Sequence, residues 1–442
     1  GLFFHNIARR WPTIAVKDHF GNYLKPTDIN QLETGGRSTE QRDWLTNYAQ
    51  LIIEPIKDWK IIAEGSFRTD VRYNHSEYLP VYEYDKNNQP IPFQWNDDFA
   101  AGDSRVAESS RKDNFYTINA YTEYSKQFKD HYIKGLFGFN SELMKVRDLS
   151  GRADNLITPS VPTINTATSN MRASGGYSEW ASAGFFARLN YNYKERYLIE
   201  LNGRYDGVSR FIGSKRWGFF PSVSLGWNLG NEDFYKNHLG KFAEALHTIK
   251  FRGSWGDLGN MNTNNWYPFY QTMPTGIENS SWIVDGVKQN TAGTPGIVSS
   301  NMTWERVRQW NIGVDLGAFN NRLTASFDYF VRNTLDMIGP APELPSILGT
   351  SVPKVNNCDM KSYGWELEIG WRDQIKDFSY GVKLVLSDSQ EKITRYPNEN
   401  KNLDSYYTNM KRGNIWGFKT AGIAQSQEEM DKHLENNRPT WG

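Results

Sequence analysis

The stretch Arg204-Tyr-Asp-Gly-Val-Ser-Arg-Phe-Ile-Gly-Ser-Lys-Arg-Trp-Gly-Phe-Phe-Pro-Ser-Val-Ser-Leu-Gly-Trp227 decides how this chain folds. It joins two alternating segments through a short glycine-bearing loop. In the first, Tyr197, Ile199, Leu201, Gly203 and Tyr205 share one face, and Leu198, Glu200, Asn202, Arg204 and Asp206 share the other. In the second, Trp217, Phe219, Val223, Leu225, Trp227 and Leu229 oppose Gly218, Ser222, Ser224, Gly226 and Asn228. Strand side chains alternate with period two, so each segment has one apolar and one polar surface. Trp217 and Trp227 are ten positions apart, or about 33 Å of strand at about 3.3 Å per residue. A tilt of about 40° reduces that to about 25 Å, the height of the apolar band between the aromatic girdles of an outer-membrane barrel. The pattern predicts a transmembrane β-hairpin.

The rhythm repeats along the 442 residues. One clear segment sets Trp59, Ile61, Ala63, Gly65, Phe67 and Val71 against Lys60, Glu64, Ser66, Arg68 and Asp70. Others centre on Gln50, Ala120, Phe137, Ala187, Leu201, Val223, Phe251, Ile312, Phe327, Leu367 and Leu384, giving about twelve strands of the usual ~10-residue length. Short turns fall at 56–59, 129–130, 193–196, 319–321 and 373–377, and long polar connections at about 73–112, 146–179, 257–302 and 333–359. Tight turns on one side and long loops on the other are what an outer-membrane barrel requires. The connection 231–246 places Phe234, Tyr235, Leu239, Phe242 and Leu246 at helical spacing and predicts a small periplasmic helix. Pro221 lacks a ladder donor, which predicts a bulge near the outer rim. Soluble sandwiches and propellers also alternate; loop parity and tryptophans at both strand ends favour the barrel.

Composition narrows the function. Fifty basic residues balance fifty acidic ones, and no basic stripe points to nucleic acid. No apolar run approaches the ~18 residues of a membrane helix, so membrane contact would come from strands. Cys358 is the single cysteine, so no internal disulfide forms. Seven scattered histidines lack ligand spacing. No nucleophile elbow, phosphate loop or paired-histidine metal motif occurs. Catalytic residues, cofactors and bound metals are therefore not expected. The chain opens without methionine or signal peptide and ends at Pro439-Thr-Trp-Gly442, so both ends read as cuts from a longer polypeptide.

The quoted hairpin, as Arg-x-Asp-Gly-x-Ser-Arg-Phe followed by Arg-Trp-Gly-[aromatic]-Phe-Pro-Ser-Val-Ser-Leu-Gly-Trp, resembles the barrel signature of SusC-type (SusC/RagA-like) TonB-dependent transporters. Ser299-Ser-Asn-Met-Thr-Trp-Glu305 resembles the family's Asn-Pro-x-Leu-Thr-Trp-Glu, with Ser299 and Ser300 in place of Asn-Pro. Asn356 to Glu368 resembles Asn-x-Gly-x-x-x-Asn-x-Gly-x-Glu-Leu-Glu, with Cys358 and Ser362 as departures, and Gly417 to Glu429 resembles a downstream loop. Before residue 180 the likeness is looser, resting on Pro12-Thr-Ile-Ala-Val16 and Gly21.

The resemblance implies an all-β transmembrane antiparallel barrel in the Gram-negative outer membrane. Plugged transporters have ~22 strands, so residues 1–442 would form about half of one, with plug and remaining strands elsewhere. It implies import of oligosaccharide or peptide with a SusD-like surface lipoprotein as lid, TonB acting through a segment outside this chain, and a dimer of transporter–lipoprotein pairs as one assembly. Two other readings stay open: a siderophore- or vitamin-type receptor of the same fold, and a secreted aromatic-rich glycan-binding or glycan-cleaving β-protein.

Three residue groups are candidates for function. Within 257–302, Trp266, Tyr267, Tyr270 and Trp282 could stack on a sugar or clamp a peptide; the alternative is packing within a folded loop or against a lid. Tyr78, Tyr82, Tyr84, Phe93 and Trp95 form a similar, weaker group. Arg204, Asp206 and Arg210 could line the lumen or simply pair structurally, and Trp304, Trp310 and Trp371 read as interfacial or ladder-end residues.

Overall fold

The computed structural model describes residues 5, 8, 13, 15–24, 29–95, 100–261, 263, 265–276, 282–299, 301–341, 345, 347, 352–420 and 422–436. Pro12 and Ile14 of the early stretch lie outside them. A single twelve-stranded sheet dominates, each strand paired with its neighbour in sequence. The strands are β1 (Ser38–Ile56), β2 (Trp59–Tyr78), β3 (Arg105–Phe128), β4 (His131–Leu156), β5 (Ala167–Tyr193) and β6 (Tyr197–Val208), then β7 (Trp217–Asn228), β8 (Thr248–Asn260), β9 (Glu305–Ala318), β10 (Leu323–Gly339), β11 (Val355–Ile375) and β12 (Phe378–Arg395). All pairings are antiparallel. The sheet is open: β1 and β12 stand at its two ends.

Every strand centre read from the sequence lies in a separate strand. The short turns also form where alternation breaks, with left-handed residues at Asp58, Lys129, Lys194, Glu195, Phe319, Asn320, Asn321 and Lys376. Such φ values match the twist of paired strands in tight hairpins. A short helix α1 (Ile29–Thr34) precedes the sheet, and the connection 231–246 holds two short helices, α2 (Asp233–Leu239) and α3 (Lys241–Ala245), rather than one.

Strand length departs from expectation. β4 runs 26 residues and β5 27, far beyond the ~10 needed to cross. At about 3.3 Å per residue and 40° tilt, β4 rises about 65 Å, so more than half of it stands outside a ~25 Å apolar band. The connection expected at 146–179 accordingly shrinks to 157–166, and that at 73–112 to 79–104. Pro221 makes no bulge either. The β6–β7 register runs through Gly203–Pro221 without a shift, while the β7–β8 ladder ends at Ser222–Gly256, one residue short of the proline. The missing donor is accommodated by the end of a ladder.

Burial is inverted relative to a soluble sheet. Leu201, Leu225, Ile312, Phe327 and Leu384 are exposed, Leu225 and Ile312 each at 56%. Polar residues of the opposite face are tied together: Arg252 of β8 pairs with Asp315 of β9 (2.8 Å) and Asp328 of β10 (2.7 Å), and Tyr121 of β3 donates to Glu64 of β2 at 3.2 Å. An apolar outside and a hydrogen-bonded polar inside is the arrangement of a wall between lipid and lumen.

Buried packing sits instead at the outer ends. Val106, Ala153 and Ala167 cluster beneath Leu156 and Ile164, beside the buried Arg105–Asp154 pair at 2.6 Å. The early aromatic group also packs: Tyr78 and Phe93 each meet Trp95 at 5.4 Å, and Trp95 donates to the Leu79 carbonyl at 3.1 Å.

Candidate functional site

The loop 261–304 rises between β8 and β9, and its base is anchored by the loop joining β6 to β7. The cause is a mismatch of strand lengths. β6 has 12 residues against 27 in β5, and its pairing stops at Ser182–Val208. Above that point the β5 backbone needs other partners. Ser209 supplies two: its amide donates to the Ala181 carbonyl (2.9 Å) and its hydroxyl accepts from the Ala181 amide (3.0 Å). Tyr267 supplies another, its hydroxyl accepting from the Glu179 amide at 2.7 Å.

Arg210 follows in the same loop and is buried. Its guanidinium lies over Trp180 (4.9 Å) and Trp266 (5.7 Å), whose rings meet edge to face at 6.5 Å. Nη1 donates to the carbonyls of Met261 (3.2 Å) and Thr263 (3.4 Å). No carboxylate among the described residues pairs with it, and burial pulls its pKa below the ordinary arginine value. Two indole faces and two carbonyls hold the cation in place of a counter-ion. Trp180 shares the pleat of Phe186 and Arg188, so this clamp lies on the luminal side of the rim.

One residue on, Phe211 enters a buried cluster with Val208, Phe220 and Trp304, flanked by Met261 and Met302. Trp304 stands 5.7 Å from Phe211 and 5.3 Å from Phe220, and its indole donates to the Arg216 carbonyl at 3.0 Å. The Ser-Arg-Phe and Thr-Trp-Glu motifs thus meet in one rivet. Of the interfacial and ladder-end roles expected for Trp304, the structure gives the second, buried just before β9 begins; a strand-end tryptophan is assigned to lipid or core only by what the neighbouring loop brings to it.

The four candidates separate. Trp266 and Tyr267 are half-buried, and Tyr267 meets Tyr270 at 6.0 Å. Tyr270 packs one side on Phe269 (4.8 Å) and is 62% exposed. Trp282 stands at the base of the hairpin 283–288, 64% exposed, its carbonyl accepting from the Gln289 amide at 3.2 Å. Arg204 and Asp206 form a same-strand pair at 2.9 Å, with Arg204 over Phe186 at 5.4 Å; Arg210 takes no part in it. Sequence reading missed Trp180 and the clamp, although the Arg-Phe step at 210–211 marks the spot. Among the described residues, no group of three His, Cys, Asp or Glu could hold a metal, and no helix is long and apolar enough to cross a membrane.

Residues 4–422 match the family described as TonB dependent receptor-like, beta-barrel. The chain belongs to this family. It is a family of outer-membrane transport receptors, not enzymes, and the open sheet is a part of its barrel. Among curated relatives, TonB-dependent receptor P39 of Formosa agariphila is 25% identical over 441 residues, 97% of this chain and 40% of that protein. TonB-dependent receptor SusC of Bacteroides thetaiotaomicron is 29% identical over 213 residues, 48% of this chain and 20% of that protein. A solved structure of the RagAB peptide transporter aligns with a TM-score of 0.69 at 20% identity, over 82% of this chain and 38% of that one. The chain spans about two-fifths or less of the length of the curated relatives it matches.

Proposed function

We propose that residues 1–442 are part of the barrel of a SusC-like transporter that imports oligosaccharide or peptide across the outer membrane, energised by TonB through a segment outside this chain. The observation that carries the reading is the inverted sheet: exposed Leu201, Leu225 and Ile312 on one face, and ion pairs centred on Arg252 on the other. A secreted glycan-binding protein would have no use for a continuous apolar outer wall. The names SusC and RagAB peptide transporter support nutrient import over a siderophore or vitamin cargo.

Within this reading, a SusD-like lipoprotein covers the outer loops, and transporter–lipoprotein pairs assemble as a dimer. Trp266 and Tyr267 fix the loop, while Tyr270 and Trp282 present aromatic faces to ligand or lid. The test is uptake by cells carrying the complete gene, with and without a functional TonB. Accumulation of labelled glycan or peptide should require TonB, and the lipoprotein should copurify. In the isolated transporter, alanine at Tyr270 and Trp282 should weaken ligand binding by roughly five- to 150-fold per contact, by analogy with aromatic stacking on bases. Uptake that ignores TonB would remove the TonB-driven reading, and no uptake through the complete protein would remove transport itself.

A further inference from the structure

A second concavity lies across the sheet from the Arg210 clamp, at the outer ends of β10, β11 and β12. Its origin is in the ladders. The β10–β11 register shifts between Thr334 and Met337 and again between Met337 and Ile338, and the β11–β12 register shifts between Asp359 and Met360. Irregularities at the same height on two adjacent ladders bend the wall. The resulting hollow is lined by Met337, Cys358, Met360, Ile393, Tyr396 and Tyr406. Cys358 and Met360 share a pleat with Ser362 and Glu366, so the hollow opens on the luminal side. Gly339 forms its floor, where a Cβ would lie 2.2 Å from the Cys358 sulfur. Residues 409–412 fold back on β12, with Ile393 donating to the Met410 carbonyl at 2.9 Å, and close its edge.

Of the charged residues that line it, Asp359 and Arg412 are paired among the described residues. Arg412 binds Glu391 at 2.7 Å, and Arg395 binds Asp359 at 2.7 Å and Asp336 at 2.8 Å. Lys354 is exposed at the mouth and has no carboxylate partner among the described residues. An apolar cup of sulfurs, methyls and tyrosine rings with a lysine ammonium at its mouth suits an apolar group carrying a carboxylate. A neutral sugar would set hydroxyls against the thioethers and methyls of Met337, Met360 and Ile393, which do not satisfy them.

Building on the import reading, we infer that this hollow receives the apolar C-terminal residue of a peptide, its side chain against Met337, Met360 and Ile393 and its carboxylate on Lys354. The experiment uses the complete transporter in detergent with N-acetyl-Ala-Ala-Leu, the same peptide as its C-terminal amide, and maltotriose. Calorimetry measures affinity, and methyl methanethiosulfonate measures access to Cys358, the chain's single thiol. The free acid should slow thiol modification, the amide should bind roughly tenfold more weakly, and maltotriose should leave the thiol as it is. Lys354→Gln, at an exposed position just before β11 begins and outside its ladder, should abolish the acid–amide difference. Equal affinity of acid and amide, absence of binding by the acid, or protection by maltotriose equal to the peptide's would each overturn the assignment. Should the thiol be inert in the free protein, the acid–amide contrast decides alone. TonB dependence of uptake is read separately, so failure of this subsite and failure of the import reading remain distinguishable.

Discussion

Replacing Leu201 with arginine tests the orientation of the whole sheet. Leu201 lies opposite Leu189 on β5 and Val223 on β7 and is 45% exposed on the apolar face. Val223 is four residues from Trp227, which at about 3.3 Å per residue and 40° tilt puts Leu201 about 10 Å inside the periplasmic girdle, near the midplane of a ~25 Å band. An arginine there should cost about 2–4 kcal/mol, a shift of about 30- to 900-fold in the folding equilibrium. Leu225, two residues from Trp227, lies about 5 Å inside the girdle and should cost less. Ser224 faces the lumen opposite Glu200, where arginine gains a carboxylate neighbour and should change stability by under about 1 kcal/mol. The assay is denaturant titration of the complete protein folded into phospholipid vesicles, comparing Leu201→Arg, Leu225→Arg and Ser224→Arg. Equal penalties on the two faces, or a free substitution at Leu201, would refute the assignment of lipid and lumen.

Three further outcomes are expected. In a Cys358→Ser background, Asp285→Cys at the tip of the hairpin 283–288 should react with a membrane-impermeant thiol reagent on intact cells, and Asn320→Cys in the β9–β10 turn only after the outer membrane is breached; the reverse pattern would invert the topology. Trp304→Ala removes the centre of the rivet and should destabilise the protein by about 3–5 kcal/mol, measurable by the same titration and by faster proteolysis within 261–304. Below α2, the hydrogen bond from the Trp227 indole, with help from Tyr197 and Arg196, holds the Glu232 carboxyl below its usual value. A depressed folded-state value means this clasp stabilises fully above about pH 4.3, the unfolded value, and is lost as pH falls through the folded one. Glu232→Gln should flatten that acid limb, and an unchanged acid midpoint would show that the clasp contributes nothing.

How much could be read in advance follows from what each residue faces. Within the bilayer one face meets lipid and the other water, so Ile199, Leu201 and Tyr205 alternate visibly with Glu200, Asn202 and Arg204. Above it both faces meet water. Asp148-Leu149-Ser150-Gly151-Arg152 pairs regularly with β5 yet carries no alternation, which is why β4 and β5 extend far past their expected ends. Tight turns were legible because Asn320 and Asn321 tolerate left-handed backbone. The rivet was not, since Trp304 meets Phe211 only when the loop 261–304 beyond β8 folds back. Of the binding candidates, Trp266 and Tyr267 share their residue types with Tyr270 and Trp282, and only the short β6 beside the long β5 separates anchors from exposed faces.

The strictly sequential pairing of the twelve strands also governs how such a wall can be assembled. Each new strand docks on the one made just before it, so every ladder joins neighbours in chain order, and topologies without distant pairings close their loops at lower cost. The 44-residue excursion between β8 and β9 interrupts this less than its length suggests. Loop-closure entropy grows as about (3/2)RT ln n, so it adds only about 2.7 kcal/mol over a two-residue turn. Among the described residues β1 and β12 end the sheet, and their outer edges are templates on which further strands can dock by the same step.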